Sequence, residues 1–472
     1  MMSSLRRGVS LASIATGLMI LVCGSPASAA QEAWYAQAAF QPLERVRLTI
    51  TNDLDQDRTN APVILTPDQL PGLRGLHELY VTLVDPSGDP RPDPDARQRA
   101  QDGPHGFLEE TNGRAMFFQL DDLDKDGLWD ELFFQIDLKA HETRTIDAYI
   151  GFNQRGWNPH ATHAAIGSYA RHQIPFWESE NVGWKLWFPT DIDVYGKREP
   201  VLMSQHLYME NLDGYAAAYA DPAYGSDIMS VDNSFGGGGI GLFEHPDQPD
   251  RVSKPRFTPQ SEPVASTNFN LNQRDDTRYA FEVVVNGPLR SMVRIRTFNW
   301  RSGSGLYALE QVYTAYAHQS YSTAKVHYTT FEPDNAATTF AVGIRKHANE
   351  QIHYQQGGVV ITGGAEAIRN PDDRESVQNA LQVDFAASAL VVKDAYDPAY
   401  VFVPEYQGNH VFRVPVTTDH AFEYLIAAAW SEGAVLNTRK GFEDYVVATA
   451  REYNSPVRLV ATHSEARPAP AR

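Results

Sequence analysis

Cysteine is nearly absent from this sequence. Among 472 residues there is one, Cys23. It lies in an N-terminal stretch with the form of an export leader. Arg6 and Arg7 give a positive start, Leu11 to Val22 an apolar run, and Ala27-Ser28-Ala29 a small-x-small cleavage site. Cleavage after residue 29 removes that cysteine. The mature chain then has no disulfide, no thiol nucleophile and no thiolate metal site. Its stability must come from a buried core, for which more than 400 residues suffice.

Long apolar runs are also missing. The leader's run is shorter than the ~20 residues of a membrane-spanning helix, and no later segment is apolar enough to cross. A soluble periplasmic or secreted protein is expected, with no membrane contact after leader cleavage. Positive charge is scarce too. Lys and Arg number 40 against 59 Asp and Glu, a formal net charge of −19. Loss of the leader removes two arginines and no acid, so the mature chain is more negative still. That excludes nucleic acid as an expected partner, because phosphate binding needs a basic surface. An acidic glycan remains compatible, since a few cations in one cleft override the global sign.

Helical periodicity is rare. Strand follows strand: Val46–Ile50, Leu79–Leu83, Met116–Phe118, Leu132–Ile136 and Ile146–Ile150 carry apolar or alternating patterns between turn residues. These predict a β-sandwich over residues 40–155, with an exposed Pro/Asp/Gly loop from Asp85 to Gly103. Tyr279–Val285, Ser291–Arg296, Leu306–Tyr316, Ala324–Phe331 and Thr339–Ile344 continue the pattern. Residues 160–460 are expected to form a large antiparallel β-supersandwich of the galactose-mutarotase-like kind. One helix is expected, over Gly441–Tyr453. Residues 461–472 are expected to be a disordered tail.

Several motifs are lacking as well. No His-x-x-x-His pair and no thiol supports zinc. No Gly-x-Ser-x-Gly elbow supports a serine hydrolase. Gly236–Gly239 lacks the Lys-Ser/Thr of a phosphate loop, so those glycines are read as a close backbone approach or a corner. No nucleotide or redox cofactor is expected.

What is present is concentrated in two places. Asp122, Asp124, Asp126 and Asp130 surround Gly127, in a spacing that lets a chain wrap a calcium ion. Phe133 stands where a bidentate Glu would close an EF-hand, so the alternatives are a compact structural calcium loop and an ordinary acidic turn. The second concentration runs from Arg171 to Tyr208. It holds His172, Trp177, Glu178, Glu180, Trp184, Lys185, Trp187, Asp193, Tyr195, Lys197, Arg198, His206 and Tyr208. Rings stack on sugar faces, and charges between them hold hydroxyls and carboxylates.

Three chemistries fit this set. In β-elimination of a uronic acid, His172, His206 and Tyr208 would move protons, while Arg171, Lys197 and Arg290 neutralise the carboxylate. Lys185 and Arg345 are further cations for the substrate. In glycoside hydrolysis, Glu178 or Glu180 would act with Asp193. In binding without turnover, Trp177, Trp184 and Trp187 would form a platform. The bland alternative is a strand pair whose charges satisfy one another.

Seven segments also resemble a secreted bacterial family, domain-of-unknown-function family 4861. They are Thr51-Asn52-Asp53-Leu54 with Asp57-Arg58, Trp129-Asp130-Glu131-Leu132, Trp177–Glu180, Asp193–Lys197, Gly236–Gly241, Asn286–Arg290 and Gly343–Lys346. The resemblance implies a place in polysaccharide degradation, with a uronate-containing glycan as substrate. It implies no catalytic residues.

Overall fold

The computed structural model describes residues 33–37, 40, 42–73, 80–90, 110–153, 159–169, 172–188, 191–204, 222–229, 231, 234–255, 277–368, 370–373, 380–404, 408–461 and 464–467. The fold is all-β, built of antiparallel sheets, as the alternation predicts. Two sheets enclose the first core. One has six strands, with Glu44–Thr51 and Thr143–Ile150 at its centre; the other has three, including Arg58–Leu65 and Glu131–Leu138. Val46, Leu48, Ile50, Val63, Phe134 and Ile146 meet between them.

The apolar run Met116–Phe118 is not a strand. Arg114–Ala115 belongs to the six-stranded sheet and Gln119–Asp121 to the three-stranded one, so the run is the crossover between them. Phe118 is apolar because the crossover passes through the core.

An eight-stranded sheet dominates the rest. Its strands run in the order Arg278–Asn286, Arg290–Ser302, Gly305–Tyr316, Tyr321–Glu332, Ala421–Trp430, Leu381–Val392, Val359–Ile368, Glu350–Gln356. One face packs on a five-stranded sheet (Thr162–Tyr169 to Gly225–Asp227) and a four-stranded sheet (Gly239–Phe243, Thr339–Arg345, Asn409–Val414, Ala399–Val403). Val293, Leu309, Tyr313, Val326, Phe422 and Tyr424 point into this core. The glycine run threads between the three sheets. Gly237 N–H donates to Ile192 O of the five-stranded sheet at 2.7 Å, and Gly236 O accepts from Arg345 N of the four-stranded one at 2.7 Å. A Cβ on Gly238 would stand 2.4 Å from Ile426 Cγ2 of the eight-stranded sheet, so only glycine fits that approach.

The other face of the eight-stranded sheet is covered in part by the helix Arg439–Asn454. Thr438 caps it, its hydroxyl accepting from Gly441 N. Phe442, Val446 and Ala450 bury against Ile361, Phe385, Ala389 and Leu425. Thr449, which interrupts the apolar stripe in sequence, is buried with them. The N-terminal sandwich covers more of this face, through Phe133 against Leu289 and Ala317.

The tail differs from expectation. Arg458–Ala461 pairs with Glu44–Thr51, and Glu465–Ala466 adds to the same strand. Glu465 also holds Arg45 at 2.6 Å. These residues therefore complete the N-terminal sheet; they neither extend the large sheets nor lie free.

Candidate functional site

The Arg171–Tyr208 cluster folds into the five-stranded sheet and mostly neutralises itself. Trp177 and Trp184 are cross-strand partners, and both are 0 % exposed. Their rings stack, and Trp177 lies 4.6 Å from Tyr313 across the core. Trp177 Nε1 donates to Ser322 Oγ at 2.9 Å. Neither ring is a sugar platform; both are core.

Glu178 is also 0 % exposed. Its carboxylate pairs with Lys197 and accepts from Met203 N at 2.9 Å and Ser204 N at 2.9 Å. Lys197 Nζ further donates to Ser179 O at 2.5 Å and Val201 O at 2.7 Å. Burial pulls the Lys197 ammonium below the usual lysine range. A buried carboxylate so fully occupied is no acid or base for a substrate, and Lys197 has no donor left for one. Lys185 is consumed in the same way, by Asp193 at 2.6 Å and Tyr195 Oη at 2.9 Å. Arg290 is spent on Asp121 at 2.5 Å and Glu131 at 2.6 Å. Arg345 is 2 % exposed and bound to Glu366. All four cations are internal joints.

Glu180 lies beyond the end of its strand at Ser179, and its expected partner Asp193 is held by Lys185. Glu180 turns instead to His318, accepting from the backbone N–H at 3.0 Å and meeting Nδ1 at 2.6 Å. That hydrogen bond holds His318 above the usual histidine range. The native state thus binds the proton more tightly than the unfolded chain. The bond's contribution is complete below the ordinary histidine pKa and is lost as pH rises through the raised native value. We expect the difference in thermal midpoint between the native protein and Glu180→Gln to shrink between about pH 6 and pH 9. A constant difference across that range would contradict the assignment.

Arg171, His206 and Tyr208 lie outside the described residues, as do the side chains of His172 and Trp187.

In the acidic loop, carboxylate oxygens of Asp122, Asp124 and Asp130 lie within 4.8 Å of one another. Asp126 is not in this trio; its Oδ1 accepts from Leu128 N at 2.8 Å. The loop's own amides already approach the carboxylates, Lys125 N and Gly127 N on Asp122 and Leu123 N on Asp130. Three of the four predicted ligands converge, in a self-bonded turn that also forms a wall. Lys125 Nζ donates to Val284 O, and Leu123 O accepts from Arg294 at 3.0 Å.

That wall borders a cleft of about 600 Å³ on the face of the eight-stranded sheet turned away from its core. Strand register sets its floor. Arg294, Val312, Lys325 and Glu423 stand side by side across four strands; one step along stand Arg296, Glu310, His327 and Ala421. Ile64 of the N-terminal sandwich and Tyr453 of the helix close two sides. A second cavity of about 340 Å³ adjoins it, sharing Ile64, Tyr316, Thr323 and Tyr453.

Most charges on this floor are paired. Arg294 holds Glu282 at 3.0 Å, Arg296 holds Glu310 at 2.6 Å, and Lys393 holds Glu423 at 2.5 Å. Lys325 and His327 differ. Their cross-strand acids are taken by other cations, and among the described residues no hydrogen bond or ion pair reaches either side chain. Both are exposed and line the cleft. The Tyr453 hydroxyl, also in the lining, is buried without a hydrogen-bond partner. Burial pushes its phenol well above the usual tyrosine range, so it remains a donor. Sequence reasoning passed over all three. Alternation along Ala324–Phe331 puts Lys325 and His327 on one face, opposite Ala324, Val326 and Tyr328, but nothing in that strand says that the face borders a cleft.

The family model described as a domain of unknown function (DUF4861) matches residues 97–459. The chain belongs to this family. No curated protein matches it. Solved structures similar to it include two from Enterococcus faecalis. One is an alpha-mannosidase from Enterococcus faecalis V583, 8 % identical, with 89 % of this chain and 46 % of that chain covered, at a TM-score of 0.42. The other is a protein in the glycosyl hydrolase family 38 from Enterococcus faecalis, 9 % identical, with 89 % and 47 % covered, at a TM-score of 0.42. The chain spans about half the length of the solved chains it matches.

Proposed function

We propose that this DUF4861 protein is a carbohydrate-active enzyme, exported from the cytoplasm, that cleaves a uronate-containing glycan by β-elimination in the cleft over the eight-stranded sheet. One observation carries the proposal. In a cleft where Arg294, Arg296, Glu310 and Glu423 are matched in pairs, Lys325 and His327 stand adjacent on one strand face without a hydrogen bond or ion pair among the described residues, and the Asp419 carboxylate of the lining acts on the imidazole through its charge. A lysine outside any ion pair suits an anionic sugar, and an ammonium beside an imidazole supplies the two functions that elimination needs.

The chemistry is as follows. Lys325 binds the sugar carboxylate and stabilises the charge that develops on it. The His327 imidazole takes the proton from the carbon next to that carboxylate. The released electron pair forms a double bond to the neighbouring carbon, and the bond from that carbon to the glycosidic oxygen breaks. The leaving oxygen takes a proton from a donor in the cleft, a role for which the Tyr453 hydroxyl is free. Substrate class follows the family resemblance, and export follows the leader.

The test is ultraviolet absorbance of the full chain with a panel of uronate glycans. Rising absorbance from a conjugated unsaturated uronate supports the proposal. New reducing ends without absorbance would replace it with hydrolysis, for which Glu310 and Glu423 are the floor carboxylates.

A further inference from the structure

We propose a zinc site formed by Glu350, His353 and His410, at the edge where the eight-stranded and four-stranded sheets meet. It is separate from the cleft and independent of the reaction proposed there. Ligand atoms of these three residues lie within 4.8 Å of one another. Glu350 Oε1 lies 2.7 Å from His410 Nε2 and 3.4 Å from His353 Nδ1. Two imidazoles and a carboxylate, with one side open, are a donor set that zinc takes.

A local irregularity builds the site. On a regular strand, residues three apart point to opposite faces. Between Glu350 and Ile352 the pairing slips, with Glu350 opposite Gly364 and Ile352 opposite Gly363. This bulge turns Glu350 and His353 to the same side. Gly364 permits it, because a Cβ there would stand 1.7 Å from Asn349 O. His410 then arrives from the four-stranded sheet, 57 residues beyond His353. This is why scattered histidines gave no zinc signal in the sequence.

The surrounding groups are those that orient metal ligands. Tyr400 Oη lies 2.8 Å from His410 Nδ1, leaving Nε2 to face the trio. The Phe402 ring packs edge-on against His410. The Thr362 hydroxyl donates to Glu350 Oε1 at 2.7 Å. The ammonium of Lys346 lies 4.0 Å from the other oxygen, Oε2. A tetrahedral ion about 2.0–2.2 Å from each donor needs donors about 3.3 Å apart. The His353 distance already fits, and His410 must recede by about half an ångström. His410 is buried and His353 exposed, so the site is anchored on one side and open to solvent on the other. Zinc there would clip the edge strand Glu350–Gln356 to Asn409–Val414.

The experiment uses the full chain, stripped with a chelator and titrated with zinc alone by calorimetry, with metal content read after dialysis. One zinc per chain is expected, together with a rise in thermal midpoint. His353→Ala and His410→Ala should each weaken binding at least about 100-fold, and Tyr400→Phe about 10-fold. His353 is half-exposed, so its alanine variant keeps the fold even if the buried His410 variant does not. No stoichiometric zinc in the native protein, or affinity unchanged in His353→Ala, overturns the proposal.

Discussion

Replacing His327 with alanine is expected to lower turnover of a uronate glycan by about 10²- to 10⁴-fold, the usual contribution of a positioned base. The imidazole lines the cleft without a hydrogen bond of its own, so its loss breaks nothing internal. Stability should stay within about 0.5 kcal/mol, as for other exposed positions. Lys325→Ala should weaken both binding and turnover, because the ammonium is needed for the carboxylate before and during proton removal. Lys325→Arg keeps the charge and should recover part of the activity. The measurement is the initial rate of absorbance increase, at saturating and subsaturating substrate, beside a thermal melt. An active His327→Ala protein would remove the proposed base and with it the mechanism.

Glu178→Ala is expected to act in the opposite way, costing about 3–5 kcal/mol of stability by leaving a charge buried alone. Lys197 is wholly enclosed, and burial already disfavours its charged form. Without Glu178, two backbone carbonyls are the partners left to its ammonium, and Met203 N and Ser204 N lose their acceptor. Glu178→Gln keeps the shape and should still destabilise, because the countercharge is gone. Replacing both Glu178 and Lys197 with methionine should recover much of the loss, since an apolar pair of similar volume carries no desolvation penalty. Urea midpoints of the three variants separate these effects. A Glu178→Gln protein of native stability would contradict the structural assignment and revive the catalytic one.

These two residues show what the sequence reveals and what it hides. Strand positions were legible because burial on one face imposes period two. Val46–Ile50 falls within Glu44–Thr51, and Leu306–Tyr316 within Gly305–Tyr316. The helix was legible for the matching reason at period 3.6. The site was not. Density of charged and aromatic residues drew attention to Arg171–Tyr208, but the same density arises where a sheet needs buried ion pairs. Only register distinguishes the cases, by setting Lys185 opposite Asp193 and Trp184 opposite Val194. Lys325 and His327 look ordinary in sequence because their significance is negative: other cations have taken the acids beside them. Segments that carry the family resemblance have a similar explanation. Asn52 accepts from Arg58 and donates to Lys139 O, Arg290 joins Asp121 and Glu131, and Arg345 joins Glu366. They are polar seams within and between sheets.

The pairing of Arg458–Ala461 and Glu465–Ala466 with Glu44–Thr51 bears on how the molecule is made. Arg45 and Glu465 are 420 positions apart. A polypeptide that emerges amino end first exposes the strand Glu44–Thr51 early, with one of its edges unfilled. That edge waits through synthesis of nearly everything between the two strands. Pairing over such a separation is slow, and an open edge is a hazard while it waits. The first sheet to appear is therefore among the last to be finished.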